Sequence, residues 1–312
     1  MKKLLLIFPL VLQVLLAFGQ QSVQYSQYVF NQLYINPAYA GYKDRFNIHV
    51  YYRNQWTGIE RSPKSMSGVI DGLMNNDHVG LSLQVSSDQL GAQKNASIYG
   101  TYAYHILFDD LESKLSFGLS GGLEQTSVNG NLLNPVDKGD EYVPVGIQRK
   151  IYPDARAGIF FANQQFFIGF SAYNLIGSYL MTSNPLHFPV PKTHLYLSTG
   201  LAVPIHDELA FKPSLLLKDD SAGPSSLDVN AMFLIKEKIL LGGGYRTGVN
   251  IYKKSNLQNN REYRNALMGM AEFNIEKRFK IGYAYEYSLR NLGQYFGATH
   301  EISVGIYIND TQ

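Results

Sequence analysis

From Lys280 to Arg290 apolar and polar side chains alternate: Ile281, Tyr283, Tyr285, Tyr287 and Leu289 fall on one side, and Lys280, Gly282, Ala284, Glu286, Ser288 and Arg290 on the other. After a turn at Asn291 to Tyr295 the alternation resumes, with Ile302, Val304, Ile306 and Ile308 on one face of the run that ends the chain. A period of two is that of a β-strand with one apolar face. Two architectures satisfy it: a half-buried strand of a soluble sandwich, or a membrane strand with lipid outside and a polar lumen inside.

The same scan along the whole chain predicts about fourteen strands of roughly the 9–11 residues that a tilted membrane strand needs. They cover 46–56, 64–73, 79–88, 95–108, 114–127, 154–161, 165–173, 193–203, 209–218, 226–235, 239–246, 265–275, 279–289 and 297–308. Within the fifth, Leu115, Phe117, Leu119 and Leu123 oppose Ser116, Gly118, Ser120, Gly122 and Glu124; in 239–246 the triplet Gly242, Gly243 and Gly244 blurs the pattern. The connections discriminate further. Every even-numbered one is tight (74–78, 109–113, 163–164, 204–208, 236–238 and 276–278), whereas the long excursions at 128–153, 174–192 and 247–264 are all odd-numbered. A sandwich has no reason to gather its long loops at one end, and an outer-membrane barrel does. The expected fold is therefore all-β, a transmembrane antiparallel barrel of about fourteen strands with both termini periplasmic. Glu124, Lys280, Glu286, Arg290 and Glu301 then point inward, as a salt-bridged lumen or a selectivity device.

The N-terminus agrees with export. Lys2 and Lys3 precede an apolar run from Leu4 to Leu16, and Ala17-Phe18-Gly19 places small residues where a signal peptidase needs them. Cleavage is expected between Gly19 and Gln20. Domain organisation then reads as a signal peptide at 1–19, an N-terminal segment at 20–44 that is a plug or periplasmic, and the barrel at 45–312. The 20–44 segment is too polar to span lipid, but Tyr25, Tyr28, Phe30, Tyr34, Tyr39 and Tyr42 call for a packing partner.

Composition narrows the chemistry. Charged residues make up only 17% of the chain at a formal net charge of +2, and no basic face invites nucleic acid. There is no Cys, hence no disulfide framework and no lipid-anchored cysteine. His49, His78, His105, His187, His194, His206 and His300 show no metal-ligand spacing, and the Gly242 triplet lacks a P-loop lysine. No enzyme activity, cofactor or metal is expected.

Gln27-Tyr28-Val29-Phe30-Asn31-Gln32-Leu33-Tyr34-Ile35-Asn36-Pro37-Ala38-Tyr39-Ala40-Gly41 resembles the N-terminal signature of the PorP/SprF family of type IX secretion system membrane proteins. Arg53-Asn54-Gln55-Trp56, Ser62-Pro63-Lys64, Tyr102-Ala103-Tyr104, Leu115-Ser116-Phe117-Gly118-Leu119 and His300-Glu301-Ile302-Ser303 continue the likeness in the family's order. The resemblance implies an outer-membrane barrel of the secretion and gliding machinery, embedded in outer-membrane lipid. It also implies as partners an adhesin-like client with a C-terminal sorting domain and a periplasmic lipoprotein ring. One departure is the chain end, where Tyr307-Ile308 is followed by Asn309 to Gln312 in place of a terminal aromatic residue. The signature directs attention to Asn36, Pro37, Ala38, Tyr39 and Gly41, and to Arg53, Asn54, Gln55 and Trp56, as a turn entering the first strand with its partners or as an interface. Tyr142, Arg261, Glu262, Tyr263 and Arg264 are candidate client contacts on the long loops. A diffusion channel for small solutes is the alternative, and it requires an open lumen.

Overall fold

The computed structural model describes residues 25–43, 45–74, 77–108, 112–133, 143–181, 188, 190–221, 223–254, 265–276, 278–289 and 297–308. Their strands are β1 (Phe46–Asn54), β2 (Lys64–Met74), β3 (Val79–Leu90), β4 (Gln93–Phe108), β5 (Ser113–Asn129), β6 (Ile147–Ala162), β7 (Phe166–Tyr173), β8 (His194–Leu201), β9 (Val203–His206), β10 (Leu209–Asp220), β11 (Ser225–Ile235), β12 (Ile239–Val249), β13 (Ala266–Ile275), β14 (Phe279–Ser288) and β15 (Thr299–Ile308). Each pairs antiparallel with its neighbours, and β15 returns to β1, with Phe46 opposite Ile308 and Asn54 opposite His300. The result is a closed fourteen-strand barrel, with the four-residue β9 counted apart. Because β11 occupies one edge of β10 over nearly its whole length, β8 and β9 share the other. Together they make one wall stave, broken at Ala202.

That break falls opposite Lys212 and Pro213, which have no partner on the β8 or β9 side. Proline has no N–H to give a ladder and is tolerated at irregularities. For the same reason Pro204 sits in β9, beside a register shift at Leu209/Ala210, rather than in the turn expected at 204–208. Two other boundaries move by more than two residues. β6 begins at Ile147, not 154, and β12 runs unbroken through its glycines to Val249. With 16 or 17 residues, β4, β5 and β6 exceed what a bilayer requires and extend past it at the long-loop end.

The outer wall is apolar and bare. Ile98, Tyr102, Leu119, Leu123, Ile168, Tyr283, Ile302 and Val304 are exposed, as lipid-facing positions are. Phe46, Phe108, Phe166 and Phe279 stand at the short-turn ends of β1, β4, β7 and β14 and supply one aromatic girdle. The core is inside. It is built around residues 25–43, which run through the lumen as three short 3₁₀ turns, Gln27–Val29, Gln32–Tyr34 and Pro37–Tyr39. Asn31 and Asn36, extended between the turns, each accept a hydrogen bond at the side-chain oxygen from the amide two residues on.

Candidate functional site

The lower end of this internal segment, nearest the short turns, rests on a floor of glycine, alanine and serine. Gly80, Ala103, Gly118, Gly158 and Ser171 are directly paired across β3 to β7, so the inner wall carries a band of minimal residues. Asn36 to Gly41 fill it. A Cβ on Gly158 would lie 2.1 Å from Asn36 Oδ1, one on Gly118 2.2 Å from the Ala38 amide, and one on Gly80 1.9 Å from the Ala40 carbonyl. Gly41 itself adopts φ +69°, a conformation that favours glycine, with the Gly80 Cα and the Gly72 carbonyl against it.

Polar contacts hold the segment in that groove. Asn36 Nδ2 donates to the Ile159 carbonyl at 2.9 Å, and the Ser171 hydroxyl donates to the Ile35 carbonyl. His105 Nε2 donates to the Ala40 carbonyl at 3.0 Å. Its Nδ1 then serves as acceptor for the Ser116 hydroxyl at 2.6 Å. Tyr34 Oη lies 2.6 Å from His49 Nδ1, and Tyr39 packs edge-on against Phe160. On the opposite side Phe30 packs with Met232, Met268, Met270 and Ala284, and Tyr28 with Tyr173, Tyr196 and Leu216. The segment thus reaches every wall strand, β12 through Leu240 on the Phe30 cluster.

The upper end is gripped by charge. Glu301 accepts from the backbone amides of Ser26 and Gln27 at 3.1 Å, and Glu286 accepts from the Ser26 hydroxyl at 3.1 Å. Arg53 pairs with Glu301 and lies 3.6 Å from Glu286. Arg246 bridges Glu286 (2.8 Å) to Asp228, which it holds through two bonds of 2.7 Å. A second network lines the β3–β7 side. Arg156 lies over the Tyr99 ring, 3.4 Å from its centroid, and donates to Gln84, while Glu124 accepts from Tyr99 (2.6 Å) and Tyr152 (2.8 Å). Asp154 accepts from Tyr99 and from the amides of Ile176 and Gly177, and so ties the short helix α1 (Gly177–Leu180) of the β7–β8 loop to the wall. Lys254 does the same for the loop after β12, donating to Asp219, Gly223 and Ser225. There Tyr252 is pushed above its ordinary phenol range by burial and by its hydrogen bond to Asp219.

The signature residues therefore divide. Asn36, Pro37, Ala38, Tyr39 and Gly41 lie on the glycine floor, while Arg53 pairs with Glu301 and Glu286, the carboxylates that hold Ser26 and Gln27 at the far end of the same segment, so the two groups are not side by side. Asn54, Gln55 and Trp56 shape the β1–β2 connection. The Ser62 hydroxyl donates to Asn54, the Gln55 amide to the Pro63 carbonyl, and Trp56 takes φ +55° in a half-buried position. Glu124, Lys280, Glu286 and Glu301 face the lumen with partners. Tyr142, Arg261, Glu262, Tyr263, Arg264 and Arg290 lie outside the described residues, as does 1–24. Sequence reasoning missed the floor of paired small residues and the Arg246–Asp228 bridge. Their only signal was small or charged residues on the non-apolar face of alternating runs.

Comparison with known proteins fits this architecture. The model of the family described as type IX secretion system membrane protein PorP/SprF matches residues 17–306. No curated protein matches the sequence. Among solved structures, a deltaS2 mutant of the monoaromatic hydrocarbon channel TodX is similar at TM-score 0.52 and 12% identity, covering 90% of this chain and 94% of that one. The deltaS2S3 mutant gives 0.51 and 10%, covering 89% and 94%. A Pseudomonas aeruginosa FadL homologue gives 0.48 and 10%, covering 87% and 92%.

Proposed function

Because the chain belongs to the PorP/SprF family of type IX secretion system membrane proteins, we propose that it is a non-enzymatic accessory platform of that machinery in the outer membrane. In this reading it assists the export or surface attachment of a large adhesin-like client carrying a C-terminal sorting domain. It works beside other secretion components, including the lipoprotein ring beneath the membrane. The observation that carries the proposal is the filled lumen: residues 25–43 touch the wall on all sides, and the void left beside Tyr25 measures about 10 Å³. Among the described residues the lumen has no clear bore, which suits holding a protein on the loops rather than passing solutes and weighs against the diffusion-channel alternative.

Client contact falls to the long-loop end, to Tyr142 and Arg261 to Arg264, and to the Asn54–Trp56 turn that caps β1. The direct test is a mild-detergent pull-down of the tagged protein from its native outer membrane, with mass spectrometry. Co-purification of a large exported protein with a sorting domain is expected; an intact barrel recovered alone, with steady conductance in planar bilayers, would shift the reading to a channel. Trp56→Ala is expected to abolish client secretion while heat-modifiable barrel remains at normal levels. Loss of the barrel itself would make that turn structural only.

A further inference from the structure

The internal segment climbs the lumen in one direction. At its carboxyl end Gly41 sits between the Gly72 carbonyl and Gly80, beside the short β2–β3 turn, and Ala40 bonds His105 near the short-turn end of β4. In mid-barrel Tyr28 Oη accepts from Asn230, in the middle of β11. At its amino end Ser26 and Gln27 bond Glu301, the third residue of β15 counted from the long-loop end. Tyr25 shares a small void with Lys218, Ser226, Asp228 and Arg246, all within three residues of the long-loop ends of β10, β11 and β12.

Long loops mark the outer face of such barrels and short turns the periplasmic face. The segment itself fills the path back, and the void of about 10 Å³ at Tyr25 is at the lower limit for a single water. We propose that the chain threads its own barrel. It crosses the outer membrane once through the lumen before β1 begins, so that the amino end of residues 25–43 opens to the cell surface while Lys43 stays periplasmic. The sequence-based expectation of two periplasmic termini then holds for the carboxyl end only. This topology does not depend on the platform reading, and its test involves no client.

The native chain has no cysteine, so single-cysteine probes need no background removal. An epitope inserted directly before Tyr25 is expected to bind antibody on intact cells as fully as after permeabilisation, with Lys43→Cys reacting with a membrane-impermeant maleimide only after permeabilisation. Antibody binding confined to permeabilised cells, in protein that still shows the heat-dependent gel shift of an intact barrel, would overturn the threading. So would labelling of Lys43→Cys from outside. If the insertion blocks assembly, the single substitution Gln24→Cys decides. It is expected to react with the impermeant maleimide on intact cells, and labelling only after permeabilisation refutes the proposal.

Discussion

At Gly158 a single missing methyl group decides whether the lumen can be filled. Its hypothetical Cβ would stand 2.1 Å from Asn36 Oδ1 and 3.0 Å from Pro37 Cδ, so Gly158→Val must push the segment off its floor. Overpacking of this kind costs roughly 1–3 kcal/mol and more where backbone cannot yield. The variant is expected to form the barrel yet expose residues 25–43 to protease in detergent; a protease-resistant segment would mean that the floor is not what seats it. Arg53 tests the other end. It is buried with Glu301 and Glu286, and removing one member of a buried ion pair destabilises by about 3–5 kcal/mol. Arg53→Met should lower the temperature at which the barrel's gel mobility shifts, and adding Glu301→Gln should recover part of the loss. No recovery would indicate that Arg53 acts by packing alone.

Residues 25–43 act as one element, because the Asn31 and Asn36 caps join its turns and neither end is held by the same chemistry. The lower end is seated by close backbone approach and the upper end by charged hydrogen bonds. Deleting 25–41 while keeping the export signal is expected to leave a heat-modifiable barrel that conducts in planar bilayers, whereas the intact chain stays closed. A silent deletion variant would place the barrier elsewhere. Among the wall elements, strands were legible wherever lipid forces an apolar outer face. The start of β6 was not: Gln148, Arg149 and Lys150 read as loop because a strand beyond the bilayer has no apolar face to maintain. Pro204 read as a turn, and only its position beside a register shift explains why it can stand in β9.

In the whole molecule the usual arrangement of a globular domain is reversed: the exposed face is apolar, and the core is polar, aromatic and built on the chain's own N-terminal segment. Closure of β15 on β1 makes this possible, since it gives each of the fourteen wall strands a neighbour on both sides. It also brings Glu301 beside Arg53 and beneath Ser26, groups separated by 248 and 275 positions in the chain. The described starts of two outer loops, at Ile176–Gly177 and at Lys254, are anchored to the wall through Asp154 and Asp219, so the wall that seats the segment also holds them.

The sequence by itself determined the all-β class, the strand number, the end of the barrel that carries long loops and the family, because each is written in local periodicity, turn spacing or contiguous motif. Only the tertiary structure decided what those motifs do for the fold. The small residues Gly80, Ala103, Gly118 and Gly158 look alike as inner-face positions in separate strands. They become a seat for Asn36 to Gly41 only when registry places them in one row and closure wraps that row around the segment.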